Sequence, residues 1–512
     1  MSNLQEHNDS SPYRIDRSSC HAESPSYRSE TSFSRFLEEA SRVRPTERQL
    51  NWYALGFYAF VHFGPNTYTG LEWGDGTEDP GSFVPHELDC DSWCEAILSA
   101  GMKGMILTAK HHDGFCLWPS AYTEHSVKNC PIPGLDVVKE ASEACRRHGL
   151  KFGFYLSPWD RNSKLYGTPA YNDYYCDQLT ELLTGYGDIF CVWFDGACGE
   201  GPNGKKQEYD FQRYIDLVRK YQPEAVIFHD KGPDVRWVGN EAGKSRHAEW
   251  AVVPSELCSL ATVQTGPGPI KGTLEGIYNT APDPGALSTI LYSKGLVFCP
   301  PETDMSIRPG WFYHPEESLH SVERLFDTYL RTLGGNGCFN LNIPPMPNGL
   351  FDPADVDRLK ELGQRIREAF DKELTTGNIM DPELPPFFPS VPTSDLPDEL
   401  LNSAESNHGI TPRVDIHQTA LSPTQLSLTL SFPEAITFRY VVLSEDISRG
   451  QRVEGFRIQV HSQNGSDMTI HEGTTIGYRR IVSFSNPITT NRLTVTITAA
   501  RNEVHMLPVQ VF

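Results

Sequence analysis

From residue 56 onward the chain alternates short unbroken apolar runs with longer segments whose apolar residues recur every three or four positions. The runs are GFYAFVHFG (56–64), KGMILTAKHH (103–112), KFGFYLSPW (151–159), DIFCVWFDG (188–196) and EAVIFHD (224–230). Each has strand length and no polar face, which predicts strands covered on both sides. Between them DSWCEAILSAG (91–101), LDVVKEASEACRRHG (135–149), YNDYYCDQLTELLTGYG (171–187) and KKQEYDFQRYIDLVRKYQP (205–223) predict helices. Asp91 marks one start, Gly101 and Gly149 mark ends, and Arg146 and Arg147 suit the negative end of a helix dipole. Residues 274–345 add GLVFCP (295–300), a long helix near 316–333 and GCFNLNIPP (337–345). The segment 353–370, PADVDRLKELGQRIREAF, reads as an amphipathic helix opened by Pro353.

Beyond about residue 410 the period changes to two, in LSLTLSF, ITFRYVVL, VEGFRIQVH, RRIVSFS and RLTVTITA. Such short alternating strands predict an all-β sandwich. Strand–helix alternation before it predicts an α/β domain with a parallel sheet, and its length suits a (β/α)8-like (TIM-type) barrel better than an open sheet. Four regions result: a polar N-terminal tail with a short helix near 34–42 (1–48), a barrel (49–375), a Pro-rich linker (376–409) and a C-terminal β-sandwich (410–512).

The 512 residues exceed a single core, which stops growing near ~250–300 residues. The net charge of −22 argues against nucleic acid and anionic lipid as partners. No apolar run reaches the ~18 residues of a membrane span. The N-terminus shows no apolar leader, so the expected compartment is cytoplasmic unless a leader has been removed. Twelve cysteines lie scattered between Cys20 and Cys338, none in a CxxC pair. That pattern predicts reduced, mostly buried thiols and no zinc set.

Barrel enzymes carry their chemistry at the carboxyl ends of the strands. Here those ends hold His62, Lys110-His111-His112-Asp113, Tyr155 with Trp159, Trp193-Phe194-Asp195-Gly196, and His229-Asp230. Polar groups in aromatic company at five strand ends suit a polar, ring-shaped ligand. Asp195 directly follows an apolar strand; it is either a reactive carboxylate or a cap for the next helix. Glycoside hydrolysis needs two carboxyl groups flanking the sugar. Glu241, on the loop after the fifth strand, is the candidate partner, with Trp237 and Val238 nearby to desolvate it. On residue type alone Glu249, Glu72 and Asp304 compete with it.

The residues HFG (62–64), Glu72-Trp73, KHHDGF with Trp118 (110–118), VWFDG (192–196) and SIRPGWFYH (306–314) resemble glycoside hydrolase family 29, the retaining α-L-fucosidases, over Trp52–Phe370. WVGNEAG (237–243) followed by Glu249-Trp250 is similar to the subfamily that cleaves α-1,3 and α-1,4 fucose from branched acceptors, as are EDISRGQRVEGF and EGTTIGYRRI near the C-terminus. The resemblance implies a fucosylated oligosaccharide as substrate, Asp195 as nucleophile and Glu241 as acid/base. It implies hydroxyl contacts from His62, His111, His112 and Glu72. Trp73, Trp118, Trp193 and Trp311 would pack on the apolar side of the sugar, and Tyr155 would donate to the nucleophile or a hydroxyl. No cofactor and no metal are implied, because two carboxyl groups suffice and adjacent histidines on extended chain point apart. Glu302 and Asp304 either line the acceptor side or cap a turn; Lys110 either pairs with a buried carboxylate or meets substrate. The sandwich reads as a buttress rather than a carbohydrate-binding module, since no tryptophan cluster follows residue 400; Arg449 and Arg452 would reach a ligand or the barrel. An inactive fucose-binding protein and a His-based metallohydrolase are the rival classes.

Overall fold

The computed structural model describes residues 30–229, 233–258, 284–291, 293–375, 414–461 and 467–512. Helices α1 (Glu30–Ser41) and α2 (Glu47–Leu55) lead into β1 (Phe57–Val61). A short helix α3 (Asn66–Thr69) precedes α4 (Cys90–Ser99), and then β2 (Gly104–Lys110), α5 (Val137–Arg147), β3 (Lys151–Leu156), α6 (Ala170–Gly185), β4 (Ile189–Trp193), α7 (Phe211–Tyr221) and β5 (Val226–His229) follow in strict alternation. The strands are almost wholly buried, as unbroken apolar runs require when helices cover the sheet. The helix starts are chemically marked. Asp89, rather than Asp91, caps α4 by accepting from Asp91 N and Ser92 N, while Asp136 caps α5 and Asp210 caps α7. Gly101 and Gly149, at φ +83° and +71°, let the chain turn from helix back to strand.

The barrel closes with eight parallel strands in the order β1-β10-β9-β6-β5-β4-β3-β2, where β6 is Val235–Trp237, β9 is Pro301–Ser306 and β10 is Cys338–Asn342. Two expectations are corrected here. GLVFCP is not a barrel segment: β8 (Leu296–Phe298) pairs antiparallel with β7 (Val252–Pro254) in a separate two-stranded sheet. Its place in the barrel is taken by the polar run PETDMS, which pairs in parallel with β10 and β6. Glu302 and Asp304 therefore neither line an acceptor side nor cap a turn. They sit fully buried inside the barrel, held by donors from other strands. Glu302 accepts from Tyr58 Oη, from Trp193 Nε1 at 2.9 Å and from Asn340 Nδ2 at 3.2 Å, and Asp304 accepts from Trp237 Nε1 at 2.9 Å. Burial lifts the Glu302 carboxyl to about 7 and the Asp304 carboxyl well above its usual range.

After α8 (Leu287–Ile290) and β8, the chain forms β9, α9 (Val322–Leu333), β10 and α10 (Pro353–Phe370). The Pro-rich linker lies outside the described residues. The C-terminal strands β11 (Asp415–Ser422), β12 (Gln425–Leu443), β13 (Val453–His461), β14 (Asp467–Gly473), β15 (Arg480–Ala500) and β16 (Gln510–Val511) form an antiparallel sandwich. Strands β12 and β15 run through both layers, with register breaks near Ser431 and Phe438 that let them bend. Successive residues then serve two cores. Val441 and Leu443 enter the sandwich core, and Tyr440 and Val442 join the core of the barrel domain.

Polar contacts complete this junction. Gln451 accepts from Ala251 N at 2.8 Å, Arg480 donates to His247 O, and Tyr478 stacks on Tyr53 at 4.7 Å. Arg501 lies 3.5 Å over the Trp250 ring. Arg452 donates to Glu503 O and Arg449 O within the sandwich. These contacts tie the sandwich to the barrel domain. The ten cysteines whose side chains are described carry no disulfide. Among the described residues no helix is long and apolar enough to cross a membrane.

Candidate active site

Asp195 follows β4 by two residues and is about a quarter exposed. Its carboxylate is gripped from two sides: Oδ2 accepts from Tyr155 Oη at 3.0 Å, and Oδ1 from the Ala197 N–H at 2.6 Å. The second bond shows that Asp195 does not cap α7, which starts at Phe211 and uses Asp210. Burial and the Asp195 charge hold the Tyr155 phenol well above its usual range, so it stays a donor.

Three histidines stand nearby, His112 next to this carboxylate and His62 and His111 packed against Tyr155. His62 Nδ1 lies 2.8 Å from Asn342 Oδ1, which also accepts the His62 N–H at 3.1 Å. Asn342 Nδ2 donates to Trp311 O at 2.8 Å and to Ser306 Oγ at 2.9 Å, which fixes the orientation of the amide. The His62 proton is thus on Nδ1, and Nε2 carries a lone pair. His112 is arranged alike. Ser157 donates to Trp159 O at 2.6 Å, so Ser157 Oγ accepts from His112 Nδ1 at 2.7 Å and Nε2 is bare. That bare nitrogen lies 3.9 Å from Asp195 Oδ2. Burial pushes His62 and His112 down to about 3, and His111 down as well. The His112–Asp195 contact is therefore no ion pair, because the imidazole is neutral. His111 accepts at Nδ1 from Asn66 Nδ2 at 3.4 Å and stacks on Tyr155 at 5.7 Å. The three histidines form a neutral lining of hydrogen-bond donors and acceptors. Among the described residues no group of three or more His, Cys, Asp or Glu is placed to hold a metal.

Glu241 lies at the rim, on the loop after β6. That loop is sewn to β9 by Val238 N→Glu302 O at 2.9 Å and Gly243 N→Asp304 O at 3.2 Å. Its Oε2 accepts from Trp311 Nε1 at 3.2 Å. Desolvation, and then the charges of Asp195 and Glu72, raise its carboxyl, partly offset by the Trp311 bond. Trp311 bridges the two halves of the site, its ring 4.9 Å from His62. Glu72 holds Trp311 in place. It accepts from Trp311 N at 2.9 Å and from His314 Nε2 at 3.0 Å, so most of its visible work is to pin the 311–314 loop. Trp73 stands 61% exposed, edge-on to Trp159 and His112.

Other expected residues fall elsewhere. Trp118 is not at the site: it is buried in the core, and its Nε1 donates to Glu181 Oε2 on α6 at 2.8 Å. Trp193 stacks on Phe228 at 4.0 Å and reaches down to Glu302, so it forms the floor under the site rather than a wall. His229 turns to Phe211 of α7 at 4.6 Å, and Asp230 lies outside the described residues. Lys110 pairs with buried Asp160 at 3.1 Å, and Glu249 is held by Arg236 and Arg246. Asn342, Ser157 and His314 were not foreseen. The alternation Asn340–Leu341–Asn342 on an apolar-flanked strand was the available clue, since period two aims both amides into the barrel.

A family model described as alpha-L-fucosidase matches residues 51–368. The alpha-L-fucosidase 1 of Arabidopsis thaliana is 34% identical over 469 residues, covering 90% of this chain and 85% of that one. A putative alpha-L-fucosidase 1 of Oryza sativa is 37% identical over 86% of this chain and 79% of that one. Among solved structures, a putative alpha-L-fucosidase from Bacteroides ovatus superposes with TM-score 0.80 at 38% identity, covering 94% of this chain and 76% of that one. A Ruminococcus gnavus fucosidase in complex with fucose has TM-score 0.73 at 26% identity, covering 92% of this chain and 95% of that one. The barrel and these likenesses agree: the chain belongs to the α-L-fucosidase family and is a glycoside hydrolase.

Proposed function

We propose that this enzyme removes terminal α-1,3/1,4-linked L-fucose from branched oligosaccharides or glycans by a double displacement that retains configuration. The observation that carries the reading is the joint placement of Asp195 and Glu241. Trp311 touches Glu241 and packs beside His62, while Tyr155 and His112 border Asp195, so both carboxyl groups face one space. Their environments differ in the way the reaction needs. Asp195 is held by two donors beside neutral histidines, which orients its carboxyl group for attack on the anomeric carbon. Glu241, at the rim, is partly desolvated and raised, which suits lending a proton to the leaving oxygen and then taking one from water. His62 and His112 present bare Nε2 atoms, and His111 an Nε2–H, to the fucose hydroxyls. Trp73 and Trp311 offer apolar faces to the ring and methyl group, and Glu72 holds Trp311 and keeps lone pairs for a hydroxyl. A sugar with a misplaced hydroxyl leaves these buried groups unpaired, which is the physical source of selectivity. The linkage assignment rests on the likeness of residues 237–243 to the branched-acceptor subfamily.

The test is fucose release from branched α-1,3/1,4-fucosylated tri- and tetrasaccharides beside an α-1,2-fucosylated sugar, with NMR of the first-formed anomer. Release of α-fucose from the branched sugars alone is expected. Release of β-fucose overturns the mechanism, and equal cleavage of the α-1,2 sugar overturns the linkage.

A further inference from the structure

Beside Glu241 lies a cavity of about 210 Å³. Its walls are Glu241, Trp311, Arg308, His320 and Arg324, with Met305 and Pro309 among the rest. A group that protonates a leaving oxygen sits within hydrogen-bond reach of it, so the leaving sugar bonded to that oxygen lies alongside the group. The cavity that shares Glu241 and Trp311 with the site is placed for that sugar.

The lining is cationic on one side, in a protein of net charge −22. Arg308 is committed: it pairs with Asp355 at 2.8 Å and Asp352 at 3.2 Å, and donates to Glu317 O at 2.7 Å. The nearby carboxylates are committed too, Asp352 and Asp355 to Arg308 and Glu317 Oε2 to the Gly310 N–H at 3.0 Å. Arg324 differs. It is exposed, and its guanidinium donates from Nη1 to His320 Nδ1 at 3.2 Å. Among the described residues it has no carboxylate partner. Because Arg324 donates to Nδ1, the ring proton of His320 sits on Nε2, a second donor in the same wall. Arg324 is placed by chemistry that is easy to read: Ser321 caps α9 by accepting the Arg324 N–H at 3.2 Å, so the guanidinium stands on the first turn of a helix. A guanidinium with free N–H groups, a neutral imidazole donor and a helix start make a wall for an anion.

We propose that this cavity is the leaving-group subsite and that Arg324, with His320, makes the enzyme favour acceptor sugars carrying an anionic substituent, a carboxylate or a sulfate ester. The inference rests on the reading of Glu241 as the acid/base. It assigns Arg324 a part in specificity and not in bond breaking.

The experiment compares kcat/KM for matched acceptors: a neutral branched fucosylated sugar, the same sugar bearing one carboxylate, and the same sugar bearing one sulfate ester. Each is assayed with wild type, Arg324→Lys, Arg324→Gln and Arg324→Glu. The readout is the anionic-to-neutral ratio within one preparation, which cancels the amount of active enzyme and so tolerates poorly folding variants. The wild-type ratio is expected above one. It should fall about five-fold in Arg324→Gln, further in Arg324→Glu, and hold in Arg324→Lys, the scale of a partly exposed charge pair. A fall confined to one of the two anionic arms identifies the substituent. Equal ratios in wild type, Arg324→Gln and Arg324→Glu overturn the inference while leaving the fucosidase reading intact. No fucose release from any of the three sugars overturns both.

Discussion

Asn342→Asp replaces one NH2 group by an oxygen and changes almost nothing in volume, yet it should disable the sugar pocket. In the native site Asn342 Oδ1 receives His62 N and Nδ1, and Nδ2 donates to Trp311 O and Ser306 Oγ. A carboxylate there keeps the first two bonds, can accept from the Ser306 hydroxyl once that rotates, and loses the bond to Trp311 O. It also sets an anionic oxygen against the Trp311 carbonyl. A buried acceptor left without its donor costs ~1–3 kcal/mol, so Trp311 and the loop it carries lose ~2 kcal/mol of restraint, about 30-fold in kcat/KM if all of it is felt in the transition state. A second effect has its own signature. A negative charge 2.8 Å from His62 Nδ1 favours the imidazolium and should raise the His62 pKa from about 3 by roughly 1–3 units. Below that new value Nε2 carries a proton and no longer accepts from a sugar hydroxyl. Activity should therefore fall, as pH drops, at a higher pH than in wild type. The assay is kcat/KM for an aryl α-L-fucoside from ~pH 4 to ~8, with Trp fluorescence to show the fold is kept. Values within about two-fold of wild type at every pH, with an unmoved acid limb, would refute the claim that Asn342 sets the His62 tautomer and holds Trp311.

Tyr155→Phe removes the 3.0 Å bond to Asp195 Oδ2; kcat should drop about 10- to 100-fold, the scale for a hydrogen bond to a charged group, with an unchanged circular dichroism spectrum. Trp118→Phe loses the bond to Glu181 and some core volume; it should lower the denaturation free energy by ~1–2 kcal/mol in urea and leave KM unchanged, whereas a sugar-stacking Trp118 would raise KM. Glu302 is raised from 4.5 to about 7, so the folded chain binds its proton more tightly than the unfolded chain, and this group makes stability fall as pH rises through that window. Glu302→Gln should flatten the fall in Tm between about pH 4.5 and about 7, and a fall as steep as in wild type would show that Glu302 does not titrate there.

Strands β1 to β5 were legible because each is an unbroken apolar run, and burial between helices on one side and a filled barrel on the other demands that. Strands β6 and β9 were not, and for one reason. Part of this barrel is filled by polar side chains that satisfy one another, Glu302 with Tyr58, Trp193 and Asn340, and Asp304 with Trp237. Hydrophobic periodicity is blind to a buried group whose partners come from distant strands. GLVFCP misled by the converse error, being apolar enough for a barrel strand while its pairing partner is the neighbouring β7. At the site, Asp195 and the histidines announced themselves by position at strand ends. Trp118 lay next to the same motif, but its indole N–H is taken by Glu181, a partner 63 positions away. Asn342 and Ser157 act on the histidines rather than on sugar, so their importance lies in hydrogen bonds that only folding creates.

The most direct test of the two-carboxylate account is kinetic: wild type, Asp195→Ala and Glu241→Gln, each on an aryl fucoside with a good leaving group and on a fucosylated sugar. An aryl leaving group needs little protonation, so the two roles separate. Asp195→Ala should lose both substrates. Glu241→Gln should lose the sugar by at least about 100-fold while keeping much more of its first-turnover rate on the aryl fucoside. Equal losses on both substrates in Glu241→Gln, or an Asp195→Ala enzyme that still turns over the aryl fucoside at near wild-type rate, would contradict it.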